Sequence, residues 1–251
     1  MEPKWQRISF MPATPLGEDG RRVTGSAAHI ALSRRAAAEG MVLLKNENET
    51  LPLKRGSRVA VFGKAQADYV KGGGGSGDTT VAYVRSLAQG LRMKKDEGKI
   101  EIFEPLERFY AEDVQAQYAA GATPGKTREP ILDDALVQQA RAFTDTAVIT
   151  ICRFSGEDYD RTGQPHDGDY FLSFEEEHMV RKVLAAFPRV AVVLNTGGMM
   201  DTLWFKDNPA VGAALLAWQG GMEGGLAAAD LQRKEVGGRG LRKTRFSSTP
   251  W

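Results

Sequence analysis

The sequence has few of the residues that build covalent or metal-held scaffolds. Its 251 residues include one cysteine, Cys152, which excludes a disulfide framework within the chain and a cysteine-based zinc site. Three histidines, His29, His166 and His178, leave little for a histidine-rich metal centre. We therefore expect the protein to use no metal and no cofactor.

Long apolar runs and an excess of one charge are also lacking. No run approaches the roughly 18–20 apolar residues of a membrane helix, and the start, MEPKWQRISF, has no signal-peptide core. With 33 Lys and Arg against 32 Asp and Glu, the net charge is +1, which argues against a surface built for nucleic acid. These features predict a soluble cytoplasmic protein that binds neither membranes nor nucleic acid.

Apolar segments alternate with amphipathic ones through most of the chain. Predicted strands lie at 59–62, 100–103, 147–152, 190–195 and 213–218, and predicted helices at 26–41, 79–94, 107–119, 131–143 and 173–187. The strand segments are continuously apolar, which is typical of strands buried on both faces. The pattern predicts an α/β fold with a mostly parallel sheet flanked by helices in three layers.

The chain divides into three parts. Residues 1–25 are polar and turn-rich, which predicts an irregular lead-in, and residues 26–231 form the α/β body. Residues 232–251 carry six basic residues and one acidic residue, and this basic, glycine-containing composition predicts disorder.

Glycine is the residue in excess, at 28 of 251, and one cluster follows the first predicted strand. Gly72, Gly74 and Gly77 match the dinucleotide fingerprint as letters, but about nine residues separate them from the strand, whereas the fingerprint starts at the strand end. Asp78 would also repel a phosphate. Two interpretations stay open: a flexible surface loop, or a loop whose backbone approaches an uncharged ligand. Ser76 and Asp78 suit sugar hydroxyls better than phosphate.

The most polar segment, residues 153–173, follows the predicted strand 147–152. It holds five carboxylates, listed here: Glu157, Asp158, Asp160, Asp167 and Asp169. A solvated acidic loop is one interpretation. A calcium loop is another, although its twelfth position is Asp rather than Glu and no helix precedes it. Acid–base chemistry by a tuned carboxyl group is the third. Later in the chain, Trp218 ends a strand, where a core position is favoured over a sugar-stacking platform.

Several segments together resemble glycoside hydrolase family 3, closest to its bacterial β-glucosidases. The segments are AAAEGMVLLKNENETLPL (36–53), VAVFG (59–63), GGGGSGDTT (72–80), SGEDYDR (155–161), VAVVLNTGGMMDTLWF (190–205) and LLAWQGGMEGGLAAADL (215–231). They stand in family order and belong to the family's six-stranded α/β sandwich domain, which packs against a TIM-like barrel.

The resemblance implies hydrolysis of β-glucosides with retention, with a β-glucoside or small β-linked oligosaccharide as substrate. It places the general acid/base on Glu157. Asp160 and Arg161 match the end of the same motif and are expected to order the loop. Ser76, Gly77 and Asp78 match the glycine-rich loop at the mouth of the site, and these three residues are expected to bind the substrate together with Asp160 and Arg161. Asp158 stands where relatives often have Gly, and its charge is expected to raise the pKa of Glu157.

Two departures from the family bear on activity. The family's nucleophile, an Asp, lies on the barrel, and a barrel needs about 250 residues of its own. Residues from Gln232 onward are unlike the family, which suggests a frameshift or an early end that could leave the sandwich incomplete at its C-terminal edge. The expectation is a fragment that carries the acid/base half of the site and is inactive alone. The alternatives are a non-catalytic carbohydrate-binding module and an unstable truncated product.

Overall fold

The structure, a computed structural model, describes residues 25–231. Within this range the strands are Val42–Asn46 (β1), Ser57–Phe62 (β2), Ile100–Ile102 (β3), Thr146–Arg153 (β4), Arg189–Thr196 (β5) and Val211–Leu216 (β6). The α-helices are Ala27–Gly40 (α1), Leu87–Asp96 (α2), Glu104–Ala119 (α3), Asp134–Phe143 (α4), Phe174–Ala186 (α5), Leu203–Lys206 (α6) and Gly224–Leu231 (α7). The predicted tail, and all but the last residue of the predicted lead-in, lie outside the described residues.

All six strands join one sheet in the order β1-β6-β5-β4-β2-β3. Neighbouring strands from β3 to β6 are parallel, while β1 runs antiparallel to β6 at the edge. The mostly parallel α/β sheet is therefore confirmed. Loss of an element at the C-terminal edge stays a prediction, because residues after Leu231 are not described.

Helices cover both faces of the sheet, so the domain has three layers. Side chains of α3, α4, α5 and α6 share one apolar cluster with the sheet, and side chains of α1, α2 and α7 share the cluster on the other face. Successive residues of β2 alternate between the clusters: Ala60 and Phe62 belong to the first, and Val59 and Val61 to the second. Burial on both faces explains why the strand sequences are continuously apolar.

Helix starts follow the capping residues in the sequence. The predicted N-cap Ser26 accepts a hydrogen bond from the His29 backbone N–H, and Ser173 forms a capping box with Glu176. The prediction of a helix over 79–94 was wrong at its start. Ser86 and Gln89 form a second capping box, so that α2 begins only at Leu87. Among residues 25–231, no helix is long and apolar enough to cross a membrane.

Candidate active site

The loop after β2 and the loop after β4 lie side by side at the carboxyl edge of the sheet. The Gly74 N–H donates to the Ser155 carbonyl at 3.0 Å, and the Glu157 N–H donates to the Gly74 carbonyl at 3.4 Å. From β2 the chain passes to β3 on one side and then returns to β4 on the other. This is the topological switch point, where ligands of open α/β sheets bind.

Glu157 is an exposed carboxylate. It is held by the glycine segment, residues 72–77 of the loop after β2. Its Oε2 accepts a hydrogen bond from the Ser76 backbone N–H at 2.9 Å. Gly75 has a φ of +71°, and a Cβ there would lie 2.5 Å from Cβ of Glu157. Only glycine fits this position, because both the backbone conformation and the contact exclude a side chain.

The same contacts set the charge state of Glu157. Hydrogen bonds from the backbone and then the side chain of Ser76 lower the pKa of Glu157 below its ordinary value of 4.5. Such donors favour the ionised carboxylate. The expectation of a raised pKa was wrong, because the shift is downward and hydrogen bonds from Ser76 cause it.

Three other predicted site residues, Gly77, Asp78 and Asp160, make no hydrogen bond to Glu157 in the described part of the chain. Lys71 Nζ donates to Oδ1 of Asp78 at 2.7 Å, so the charge of Asp78 is already paired. Gly77 is exposed beside it. Asp160 is exposed and has no hydrogen bond or ion pair within the described part of the chain. Glu157 and Ser76 are thus brought into contact, whereas Asp78 is bound to a lysine outside the predicted set.

Arg161 links the acidic loop, which comprises residues 154–173 between β4 and α5, to β5. Its guanidinium pairs with the Asp169 carboxylate and donates to the Thr196 hydroxyl at 3.1 Å. The Thr162 N–H donates to the other oxygen of Asp169 at 2.7 Å. Asp169, the twelfth position of a calcium-loop register that starts at Asp158, is therefore engaged by protein donors. Over residues 25–231 no group of three or more metal-ligating side chains could hold an ion.

A buried ion pair anchors both ends of the acidic loop. The Arg153 guanidinium donates to both carboxylate oxygens of Glu176, at 2.7 and 2.6 Å, and each residue is 3% exposed. Arg153 also donates to the backbone carbonyls of Asp169 and Phe171. The end of β4, the return of the loop and the start of α5 are therefore joined through one side chain.

A second buried group holds the loop between α3 and α4 against the site. Asp68, which is fully buried, accepts hydrogen bonds from Tyr118 Oη at 2.6 Å, the Gly125 N–H at 2.6 Å and the Thr127 hydroxyl at 2.5 Å. This arrangement places Lys126 over aromatic rings of the acidic loop. Its Nζ lies 4.3 Å from the ring centroid of Tyr159, a cation–π distance.

Glu129, on the same loop, is buried and is expected to make stability depend on pH. Burial raises its pKa to about 8, so the folded state holds a proton that the unfolded state has released above its ordinary pKa of 4.5. The contribution of Glu129 to stability is then fully present below pH 4.5 and is lost as pH rises towards and through 8. We expect the free energy of unfolding of the wild type to fall by about 2 kcal/mol between pH 6 and pH 8 because of Glu129. Glu129→Gln should abolish this fall.

Urea unfolding of the wild type and Glu129→Gln at several pH values measures this effect. The exposed Glu112→Gln on α3 is the control, and it should leave the pH profile unchanged. Parallel profiles for the wild type and Glu129→Gln would show that Glu129 is ionised in the folded protein.

Comparison with known families identifies the domain. Residues 41–233 match the family model described as Glycosyl hydrolase family 3 C-terminal domain. The chain belongs to glycosyl hydrolase family 3. The matched segment contains the whole sheet and both loops of the candidate site.

Two relatives of the chain carry the name β-glucosidase. The chain is 45% identical to β-glucosidase A of Butyrivibrio fibrisolvens over 98% of its own length, and 36% identical to a Ruminococcus albus β-glucosidase over 79%. It spans 32% and 21% of these relatives respectively.

Solved family 3 structures share the fold. A Paenibacillus barengoltzii β-glucosidase matches 81% of this chain, with a TM-score of 0.73 and 36% identity. β-Glucosidase 3B of Thermotoga neapolitana, solved with glucose, matches 82% with a TM-score of 0.70 and 34% identity. The chain covers 22% and 29% of these structures.

Two residues near the candidate site were misjudged or missed in the sequence. Trp218 is 40% exposed and has a φ of +54°, so the core position favoured for it was wrong. Asn195 is buried at the end of β5, where it donates to the Trp218 carbonyl at 2.7 Å and bonds both backbone groups of Val70. The signal available in advance was an amide ending the apolar run VAVVLN.

Proposed function

We propose that this chain supplies the general acid/base, Glu157, for the hydrolysis of β-glucosidic bonds with retention. The observation that carries the proposal is the exposed Glu157 carboxylate, held by the Ser76 N–H at the switch point of a family 3 domain. A retaining reaction needs a second carboxyl group about 5–5.5 Å away as nucleophile. We assign it to a barrel domain in the part of the relatives that this chain does not match.

The retaining mechanism requires Glu157 to act in both of its steps. As an acid it protonates the glycosidic oxygen as the bond to the leaving group breaks. As a base it then takes a proton from the water that hydrolyses the glycosyl-enzyme. In this chain the Ser76 hydrogen bonds favour the carboxylate, which suits the second step. A sugar that excludes water and a nearby nucleophilic carboxylate would both raise the pKa of Glu157 and prepare it for the first step.

A domain exchange tests the proposal. Residues 25–231 would replace the matching segment of the Butyrivibrio β-glucosidase A, and turnover of 4-nitrophenyl β-glucoside would be measured. We expect the chimera to turn over substrate and the 251-residue chain alone not to, because the chain provides one of the two carboxyl groups. A folded but inactive chimera, or turnover by the isolated chain that Glu157→Gln abolishes, would contradict this division.

A further inference from the structure

We propose that a cleft beside the glycine segment is a second site, which binds a neutral saccharide and is coupled to Glu157. The cleft lies among the loop after β2, the start of α2, α3 and the loop between α3 and α4, with a volume of about 700 Å³. This falls in the roughly 300–1,000 Å³ range of small-molecule sites. The ligand class rests on the proposed function, whereas the cleft itself does not.

Buried polar side chains fix two walls of the cleft. Asn195 is 3% exposed; its Oδ1 accepts from the Val70 N–H at 2.7 Å and its Nδ2 donates to the Val70 carbonyl at 3.0 Å. On the other wall, Asp68 holds Gly125 and Thr127, which flank Lys126. The walls are therefore set before any ligand binds, which lowers the entropy lost on binding.

The lining favours an uncharged ligand that has both apolar faces and hydroxyl groups. The two carboxylates are already neutralised, because Asp78 pairs with Lys71 and Glu107 pairs with Arg92. The remaining charged side chain of the lining, Lys126, lies over the rings of Phe154 and Tyr159. Gln115 lines the cleft and has no hydrogen-bond partner within the described residues, so its amide can both donate and accept. Apolar contact comes from Val70, Ala111, Phe154 and other lining residues. A sugar ring meets both requirements, with hydroxyl groups at its rim and C–H groups on its faces.

One backbone segment connects this cleft with the acid/base. Gly72 and Gly73 line the cleft, and the next three residues bond or pack against Glu157: Gly74, Gly75 and Ser76. A ligand that orders the first two glycines therefore restricts the segment that carries the Ser76 N–H. Occupancy of the cleft is expected to strengthen the Ser76–Glu157 hydrogen bond.

Nuclear magnetic resonance on the 251-residue chain tests the proposal with cellobiose and cellotriose as probes. We expect saturable shifts of the backbone amides of residues 70–73, 123, 125 and 126, together with a shift of the Ser76 amide. Ala111→Phe fills the cleft and should weaken binding about tenfold or more. The matched control is Ala116→Phe, an exposed position on the same helix outside the cleft, which should bind as the wild type does.

Two further variants separate the cleft from the acid/base. Gln115→Ala should also weaken binding, and it removes a side chain without adding bulk, so a folding defect in Ala111→Phe would not end the test. Glu157→Gln should still bind in the cleft. Absence of binding up to about 50 mM sugar, or binding that Ala111→Phe and Gln115→Ala leave unchanged, would overturn the proposal. An inactive chimera with intact cleft binding would instead refute only the proposed hydrolysis.

Discussion

Glu157→Gln in the chimera should lower turnover of cellobiose by about 10²–10⁴-fold, the usual contribution of general acid–base catalysis. The glucose that cellobiose releases leaves as a poorly stabilised alkoxide unless the glycosidic oxygen is protonated. A 2,4-dinitrophenyl glucoside needs no such proton, so its first step should be nearly unchanged. The second step still lacks a base for water. Rapid mixing should therefore show a burst of dinitrophenolate followed by slow turnover.

The neighbouring residue provides the control for this result. Asp158→Asn removes an adjacent exposed charge and should change either rate by no more than about twofold, the range of ordinary surface substitutions. Equal losses on both substrates in the first step of Glu157→Gln would argue against a proton donor at this position. A large effect of Asp158→Asn would instead assign the role of general acid/base to Asp158.

Arg153→Met should destabilise the chain by about 3–5 kcal/mol, the usual cost of breaking a buried ion pair. The substitution leaves the Glu176 carboxylate 3% exposed without its partner, and the carbonyls of Asp169 and Phe171 lose a donor. Urea unfolding would measure the loss. Limited proteolysis should cleave residues 154–172 faster in the variant, because the anchor of that loop is gone.

Two comparisons isolate the buried charge. The exposed pair Arg35–Glu39 has its atoms 3.7 Å apart, and Arg35→Met should cost no more than about 0.5 kcal/mol. Arg153→Met with Glu176→Leu should recover part of the lost stability, because no unpaired charge remains. Recovery should be incomplete, since the loop carbonyls still lack their donor. A loss below about 1 kcal/mol in Arg153→Met would show that water reaches Glu176.

Local patterns predicted most of the fold because strands that are buried on both faces have continuously apolar sequences. The edge strand β1 was missed. Lys45 interrupts its apolar pattern, and the compensating contact, Nζ to the Asn208 carbonyl at 2.9 Å, lies far along the chain. The start of α2 was predicted too early: the predicted helix began at residue 79, whereas the Ser86 capping box makes Leu87 the first helical residue.

The candidate site was predictable only in part, because a sequence motif shows residues within one loop but not their partners elsewhere in the chain. Glu157 and Ser76 were found through motifs, each of which lies within one loop. The groups that position these loops act across the chain: Asp68 reaches Thr127, 59 residues away, and Asn195 reaches Val70, 125 residues away. No spacing within a loop indicates such a partner. The direction of the pKa shift of Glu157 was mispredicted because it depends on hydrogen bonds from Ser76, which sequence adjacency to Asp158 does not reveal.

Asn195 has a consequence for how this edge of the domain can diversify. Its one side chain bonds the loop after β2 through Val70 and the loop after β6 through the Trp218 carbonyl. A graft of either loop from a distant homologue would have to present its backbone to the same amide, or it would leave a buried polar group unpaired. Successful transplants should therefore carry the loops after β2, β5 and β6 together. Recombination among homologues should be tolerated between these strand ends only when all three come from one parent.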